Sequence, residues 1–453
     1  MSEIDLPYSI ANGITKGNIN KSLIYALEEE KFYLYDDGFW KKLSDMELMG
    51  MILGYYNGSN NRADIRKWTI YKRNQIVENL KVMIFRKLEM FNKTGFLNFD
   101  QGEFDPLTGT LHPHMMSNYS TMRMPYEWDD LSEVGGSNKC DLWIKTLNEI
   151  FEADTDPEGA KDKIGILQEF FGYCLTKDTR KEKALLLLGQ SRSGKSTILE
   201  TLGAMLGKHN CAYVTMDFIS NPQYTPLLMN KLVNIDTDVN TKADNFESKF
   251  KTITSGETLT CNQKFVETFD FVPYCKLAMG ANSFPRITDH SMAIYNRLIL
   301  LPCERVFELH ERNIGLKDQL KKELFGILMW AVEGLHRLNK RGYFEEKDYM
   351  KEAIEELRLE SNPVEIFFDE QLEGFVGDNV YLEKGELYER YKTWAHNGQH
   401  YVLNSARFSQ AVQRKFNKFT PKNTRFGGKR IWKNLRYKDN VLNAPQTEMG
   451  WQE

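Results

Sequence analysis

A run of four leucines followed by a glycine-rich segment constrains this chain more than any other feature. Residues 184–197 read ALLLLGQSRSGKST. A continuous apolar run of this kind is typical of a central strand that is buried on both faces of a parallel sheet. The residues after it have the spacing Gly-x-x-x-x-Gly-Lys-Ser, in which glycines permit a tight backbone whose N–H groups point at phosphate oxygens. The segment therefore predicts a loop that binds the phosphates of a nucleotide, with ATP as the expected ligand.

Each residue type in the predicted loop has an expected role. Lys195 would reach the β- and γ-phosphates, and the hydroxyl of Ser196 would bind Mg²⁺. ATP and Mg²⁺ are accordingly the predicted cofactors. The residues expected to surround the nucleotide are Gly189, Gln190, Ser191, Arg192, Ser193, Gly194, Lys195, Ser196 and Thr197.

Acidic and amide side chains follow two later apolar runs. LVNIDTD ends in Asp236 and Asp238, and KLAMGAN ends in Asn282. Carboxylates at the end of a strand beside the loop can hold Mg²⁺ and polarise an attacking water, and an asparagine there can hydrogen-bond the γ-phosphate or that water. The alternative is that the two acids cap a strand and start a turn. Alternation along an extended strand would put both carboxylates on one side, so the sequence does not separate their roles.

The distribution of apolar runs predicts three domains. Runs separated by helical intervals between residues 184 and 303 are the pattern of an α/β core. Before them, an aromatic-rich hairpin (residues 31–43) and two short strands (residues 96–114) indicate an α+β region. After them, Asn362-Pro363 indicates a boundary. The predicted domains are an N-terminal α+β domain (1–140), a helical lead-in with the α/β core (141–345) and a small C-terminal domain (346–453).

The overall composition sets limits on partners and location. The net charge is −4, so any surface that binds nucleic acid must be local. The first residues carry no basic stretch followed by an apolar run, and no apolar window approaches 18 residues, so neither a secretory signal nor a membrane span is expected. The six cysteines have no CxxC spacing, which favours reduced thiols. These features predict a cytoplasmic protein without a membrane partner.

The C-terminal region carries the highest local charge. Residues 405–438 contain eleven basic residues and no acidic one. A predicted helix (residues 408–416) and a hairpin turned at Gly427-Gly428 favour a winged-helix domain, where basic residues interleaved with aromatic ones suit phosphate contacts and base stacking. A solvated basic face without a ligand is the alternative. The candidate DNA-binding residues are Lys415, Lys429, Arg430 and Lys433, together with Lys264 in a possible hairpin around residues 262–264.

Taken in order, these motifs resemble those of superfamily 3 helicases, an AAA+ branch found in viruses, phages and plasmids. LLLLGQSRSGKST resembles the Walker A motif of that family, LVNIDTD its Walker B motif, KTITSGETLTCNQK its B′ motif and KLAMGANSFP its motif C. YNRLILLP (295–302) resembles its arginine-finger segment, which implies that Arg297 reaches the ATP of a neighbouring subunit. The resemblance implies an AAA+ P-loop NTPase core. The residues to which it gives catalytic roles are Lys195, Asp236, Asp238, Asn282 and Arg297.

The flanking segments resemble phage and poxvirus-type primase-helicases, so the resemblance covers roughly residues 30–440. It departs from the family at Walker B, where Asp-Thr-Asp replaces an adjacent acidic pair and leaves the catalytic carboxylate open. No paired-acid motif of a primase precedes the matched region. We therefore expect the helicase portion alone, working with a separate primase or polymerase.

The resemblance implies an ATP-driven DNA helicase that assembles as a ring, with a hexamer expected, on single-stranded and forked DNA. It would serve replication of a phage, plasmid or other mobile element in the cytoplasm of a host cell, and 3′→5′ translocation is likewise implied by the resemblance alone. The alternative is a replication initiator whose ATPase controls assembly at an origin rather than unwinding. Unwinding that depends on Lys264 would favour the helicase. A P-loop kinase or unrelated ATPase accounts for neither the B′-like segment nor the basic C-terminal region.

Overall fold

The computed structural model describes residues 11, 22–58, 70–128, 139–152, 155–239, 246–261, 268–283, 293–361, 363–375, 380–398, 402–417 and 425–438. The chain divides into two compact units, residues 1–350 and 351–453. The predicted boundary at residue 140 lies inside the first unit and stays a prediction.

The first unit begins with a four-stranded sheet in the order β3-β2-β1-β4. The predicted hairpin at residues 31–43 is confirmed, since β2 and β3 pair antiparallel around a turn at Asp37 and Gly38. Two helices cover the sheet and bury Leu48, Ile76 and Leu80 against it. The elements are β1 (Leu23–Ala26), β2 (Lys31–Asp36), β3 (Phe39–Lys42), α1 (Asp45–Gly58), α2 (Ile70–Ile84) and β4 (Phe85–Arg86).

A three-stranded antiparallel sheet and two helices follow. The two strands predicted within residues 96–114 are β6 and β7, which pair with each other, and β5 pairs with β6. The single helical stretch predicted up to the glycine-rich segment is two helices. The elements are β5 (Leu97–Asn98), β6 (Glu103–Asp105), β7 (Thr110–His112), α3 (Asp141–Ile150) and α4 (Pro157–Cys174).

A five-stranded parallel sheet in the order β14-β8-β13-β10-β9 forms the centre of the first unit. The leucine run is β8, which lies between β14 and β13 and is buried along nearly its whole length. This confirms a parallel α/β sheet. Its elements are β8 (Ala184–Leu188), α5 (Lys195–Leu206), β9 (Cys211–Ala212), β10 (Val233–Asp236), α6 (Glu247–Ser255), β13 (Lys276–Ala281) and β14 (Leu298–Pro302).

Further elements complete the first unit. α8 packs along α4 and extends the same apolar core through Phe171, Trp330 and Ala331. The predicted strands on either side of residues 262–268 pair antiparallel, but Lys264 itself lies outside the described residues. The elements are β11 (Leu259–Cys261), β12 (Phe269–Phe271), α7 (Leu316–Leu320), α8 (Leu324–Arg341) and α9 (Asp348–Ser361), and α9 carries the boundary between the units.

The second unit has its own apolar core, in which Phe367, Phe368, Tyr391 and Phe408 pack on one another. The helix predicted near residues 408–416 and the hairpin turned at Gly427-Gly428 are both present. The elements are α10 (Pro363–Gln371), β15 (Leu372–Gly374), β16 (Tyr381–Glu383), α11 (Lys384–Asn397), α12 (Ser405–Lys415), β17 (Arg425–Phe426), β18 (Lys429–Lys433) and β19 (Leu435–Tyr437).

Strand pairing in the second unit gives two small antiparallel sheets, β15-β19 and β16-β18-β17. Across both units, none of the helices in the described part of the chain combines the length and the apolar character needed to cross a membrane.

Candidate functional site

The glycine-rich loop (residues 189–194) leaves β8 at the carboxyl edge of the five-stranded sheet and leads into α5. A Cβ on Gly189 would lie 2.1 Å from the carbonyl oxygen of Cys303. Gly194 has φ +89°, and its Cβ would lie 2.6 Å from the side chain of Ile150. Residues other than glycine rarely adopt that backbone conformation. The two glycines of the motif are therefore required by the path of the loop itself.

Lys195 is a buried cation at the first turn of α5, with 6% of its surface exposed. Its Nζ donates to the carbonyl oxygens of Gly189 (2.6 Å) and Gln190 (2.7 Å) and to Oδ1 of Asn282 (3.2 Å). Within the described residues no carboxylate forms an ion pair with this ammonium group. Burial lowers the pKa of Lys195. A buried charge without a counter-charge is costly, and an anion bound nearby would offset that cost.

A cavity of about 650 Å³ opens beside the loop. It lies at the carboxyl ends of β8, β10 and β13, the edge at which open parallel sheets bind ligands. Of the residues predicted to surround a nucleotide, 191–197 line this cavity. Gly189 and Gln190 do not line it, and their carbonyl groups instead hold Lys195.

The two candidate carboxylates of β10 occupy different surroundings. Strand β10 ends at Asp236, so the alternation used in the sequence analysis does not extend to Asp238. Asp236 is buried, and its carboxylate accepts hydrogen bonds from the backbone N–H groups of Met216 (2.8 Å) and Asp238 (3.3 Å). Burial raises the pKa of Asp236. Asp238 is exposed and lines the cavity together with Thr237.

Asn282 follows the last residue of β13 and lines the same cavity. The pairing of β13 with β8 places this strand end next to the loop. Lys195, Asp238 and Asn282 thus line one cavity, and their roles stay predictions. Asp236 does not line it, and its carboxylate is held by backbone N–H groups instead.

Arg297 lies at the other edge of the sheet. The next residue, Leu298, pairs with Ala184 at the start of β8, whereas the loop follows the end of β8. Five strand residues separate the two positions, about 16 Å at the usual rise. The Arg297 guanidinium donates to Glu182 (2.6 Å) and to Ser255 (3.0 Å). Arg297 therefore does not line the cavity of its own chain.

Two further segments form much of the cavity wall, and the sequence analysis identified neither of them. One is a face of α3, and the other is the chain that follows β14. No motif marks them, because their contribution depends on tertiary packing: α3 ends 39 residues before the loop begins. The lining residues that they add are Leu142, Lys145, Thr146, Glu149, Ile150, Phe307, Glu311, Arg312, Asn313 and Leu316.

Of the predicted metal-binding residues, Ser196 and Asp238 line the cavity and Asp236 does not. In the part of the chain that the structure describes, no group of three or more His, Cys, Asp or Glu side chains is arranged to hold a metal ion. A divalent cation at this cavity would therefore need oxygen ligands from elsewhere, such as a bound phosphate.

The candidate DNA-binding lysines of the second unit differ in their partners. Lys415 is paired with both Glu365 and Asp369, each at 2.9 Å. Lys429 is paired with Glu383 at 2.7 Å.

By contrast, the side chains of Arg430 and Lys433 are exposed and make no hydrogen bond or ion pair with the other described residues. The basic segment is thus partly neutralised by acids from the preceding helices and strands, which the local sequence alone did not indicate.

Two protein families match separate parts of the chain. A family of unknown function, DUF5906, matches residues 187–297, which contain the glycine-rich loop, Asp236, Asp238 and Asn282. The poxvirus D5 protein-like family matches residues 359–442, which form most of the second unit.

A curated relative and solved structures are also similar to the chain. "Putative helicase 121R" of Invertebrate iridescent virus 3 is 23% identical over 239 residues, which are 50% of this chain and 24% of that protein. The apo structure of the NrS-1 C-terminal region is 12% identical with a TM-score of 0.50, and the match covers 94% of this chain and 98% of that one. An A form of the same region has a TM-score of 0.49 at 13% identity, with coverage of 94% and 98%.

The comparison with the apo structure of the NrS-1 C-terminal region shows a shared fold. The matched part of this chain spans only about a quarter of the viral relative. The family matches lie on the two parts of the chain that the motifs had singled out, namely the loop with its strands and the C-terminal unit. These matches support a similarity to D5-type primase-helicases.

Proposed function

We propose that the chain is an ATP-hydrolysing motor of the AAA+ class that unwinds DNA. The observation that carries this proposal is the buried ammonium of Lys195, which adjoins a cavity and has no carboxylate partner among the described residues. A polyanion with several negative oxygens is the ligand that such a group favours, and the loop backbone and the start of α5 add further positive potential.

The lining of the cavity combines polar and apolar groups. Residues 191–197, which include Lys195, supply polar groups for a triphosphate. Leu142 and Phe307 add apolar surface against which a base would be sheltered from water. This combination supports a nucleotide rather than a free phosphate as the ligand.

Mg²⁺ fits the oxygen-bearing side chains that line the cavity. Ser196 and Asp238 would hold it, and when bound it would neutralise charge that develops on the phosphates. The Asp238 carboxylate and the NH₂ group of Asn282 would orient an attacking water, because both side chains are exposed and only the Oδ1 of Asn282 is engaged, by Lys195. Asp236 would act through Asp238, by fixing the turn that presents it.

The cavity of its own chain lies at the opposite edge of the sheet, so Arg297 would act on the nucleotide of a second copy, after leaving its ion pair with Glu182. This need for a neighbour supports a closed ring, for which we propose a hexamer. The unpartnered cations of the second unit support DNA as the track. A separate primase or polymerase would complete the replication machinery.

Strand displacement on a forked duplex tests this proposal. We expect Lys195→Ala to lower both ATP hydrolysis and unwinding by about 10²-fold or more, because one preorganised charge at a reacting phosphate contributes on that scale. Lys340→Ala, at an exposed lysine of α8, is the matched control. Unwinding by Lys195→Ala at the parent rate would show that the motor assignment is wrong. ATP hydrolysis without any unwinding by the parent would instead favour the initiator.

A further inference from the structure

The β17–β18 hairpin (residues 425–430) carries aromatic and charged side chains on an exposed part of the second unit. All six residues are exposed. Phe426 has 55% of its surface exposed and packs against Tyr381 of β16, which is 37% exposed, with ring centroids 5.0 Å apart. By contrast, the ring–ring contacts of Phe367 and Phe408 each include at least one ring that is buried in the core. Packing in the core therefore does not account for the aromatic side chains of Phe426 and Tyr381.

Strand register assigns the side chains of this sheet to two faces. Residues directly opposite each other in an antiparallel pair share a face. Phe426 pairs with Lys429, and Tyr381 pairs with Lys433. Because Lys429 and Lys433 are four residues apart on β18, they lie on the same face. The ring pair is thus flanked by two lysines.

The other face carries two arginines directly opposite each other, Arg425 and Arg430. Like charges in this arrangement are destabilising, and neither arginine has a partner among the described residues. Lys384 adds a third cation, since its ammonium lies 3.7 Å from the ring centroid of Trp432 and its pKa is lowered by burial and by Arg430.

The acidic residues near this sheet are too few to neutralise its positive charge. Glu383 neutralises Lys429, and Glu386 lies in the first turn of α11. The cations Arg425, Arg430, Lys433 and Lys384 have no ion pair with described carboxylates. A polyanion that also offers flat π faces matches both features, and nucleic acid is such a ligand.

We propose that the β17–β18 hairpin binds at the junction between single-stranded and duplex DNA, with Phe426 and Tyr381 stacking on an unpaired base and the two cationic faces holding the phosphates of the separated strands. Bases inside an intact duplex present no free π face, so Phe426 and Tyr381 can stack only on a base whose base pair is open. A narrow hairpin with different binding groups on its two faces suits a position between two strands. This inference rests on the proposed function, which supplies DNA as the track.

The test measures binding of the full-length chain to three fluorescent or competitor DNAs: a forked duplex, a single strand and a covalently closed circular duplex. Stacking of one base is worth about tenfold in affinity or more. We expect Phe426→Ala and Phe426→Leu to weaken binding to the fork and the single strand by about tenfold, and to change binding to the closed circle less than twofold. Phe426→Trp should restore the parent affinity, because it keeps a π face.

A second readout reports stacking directly. A 2-aminopurine at the first unpaired position of the fork should lose fluorescence on binding the parent and retain it on binding Phe426→Leu, which keeps apolar bulk. The double substitution Arg425→Gln and Arg430→Gln should weaken binding to the fork more than binding to the single strand, because these arginines would hold the second strand of the fork.

Three results would overturn the inference. These are equal loss on all three DNAs for Phe426→Ala, no loss on any of them, and quenching that survives Phe426→Leu. A change in thermal unfolding would signal damage to the fold, and Phe426→Trp and Phe426→Leu then decide the matter by comparison with each other. None of these binding readouts requires ATP hydrolysis. Failure of the motor assignment, seen with Lys195→Ala, is therefore distinguishable from failure of the junction site.

Discussion

The two carboxylates at the end of β10 should respond in opposite ways to the same substitution. Asp236→Asn and Asp238→Asn each remove one negative charge and keep the size of the side chain. The structure gives the two groups different surroundings, one buried on backbone N–H groups and one exposed at the cavity. The pair of variants therefore separates a structural acid from a catalytic one.

The magnitude for Asp236 follows from its hydrogen bonds. Its two carboxylate oxygens accept from the N–H groups of Met216 and Asp238. An asparagine offers one oxygen and one NH₂ group, so one buried N–H would lose its acceptor, at a cost of about 1–3 kcal/mol. Burial raises the pKa of Asp236, because it disfavours the charged carboxylate, so removing the charge offsets part of this cost. We expect a net loss of about 1–2 kcal/mol in the free energy of unfolding.

The magnitude for Asp238 follows from its exposure. Its side chain accepts no hydrogen bond from the described residues, so Asp238→Asn should change the free energy of unfolding by less than about 0.5 kcal/mol. If Asp238 positions or polarises the attacking water, ATP turnover should fall by about 10²–10⁴-fold, the usual contribution of a general base.

Two measurements on the same preparations decide between these outcomes. Thermal unfolding of the free protein reports stability, and phosphate release at saturating ATP reports turnover. The expected pattern is a lowered Tm with substantial turnover for Asp236→Asn, and an unchanged Tm with little turnover for Asp238→Asn. An Asp238→Asn protein that hydrolyses ATP at the parent rate would refute the assignment, as would an Asp236→Asn protein that is inactive but fully stable.

Three further substitutions test other parts of the structure. Gly194→Ala should lower the Tm and weaken binding of a fluorescent ATP analogue, because φ +89° costs a non-glycine residue about 1–2 kcal/mol and the methyl group would meet Ile150; unchanged binding would contradict this. Lys276→Met should remove a pH dependence. Burial lowers the pKa of Lys276 to about 8, so above that pH the folded state binds fewer protons than the unfolded state and the parent gains stability over the variant, by about 1 kcal/mol from pH 7 to 9. A constant difference across that range would show the reasoning to be wrong. Arg430→Gln should lower the slope of log affinity for DNA against log salt by about one, and Lys415→Gln by less, since Lys415 is already paired.

Local sequence was sufficient to predict the features that depend on adjacent residues. The leucine run predicted β8, and the spacing of Gly189 and Gly194 predicted a strained loop, because both depend on residues within about ten positions. The hairpins of β2–β3 and β17–β18 likewise follow from turn residues between short strands. Asp238 and Asn282, which follow the ends of β10 and β13, meet the loop because carboxyl ends of parallel strands share one edge.

The remaining features depend on contacts between distant parts of the chain. The cavity wall formed by Thr146 and Phe307 requires α3 and the segment after β14 to fold against the loop from opposite directions. Asp236 turns inward because the N–H of Met216, twenty residues earlier, is placed beside it. Neither relation leaves a periodic or compositional signal in one sequence.

Contacts between distant residues also decide which basic side chains are available to a ligand. Lys195 and Lys415 are both lysines in segments that predict binding, yet the first is buried without a carboxylate among the described residues and the second is held by two. A cation whose charge is already compensated gains little from an added phosphate, because the ligand must first displace its partner, whereas an uncompensated one gains the full interaction. The number of basic residues therefore overstates the surface available to phosphates on the α12 helix. It understates that surface on the β17–β18 hairpin, where the Arg425 and Arg430 side chains lie opposite each other without ion pairs to described residues. It follows that the affinity of the second unit for DNA should depend on few residues at the hairpin rather than on the eleven basic residues of the segment.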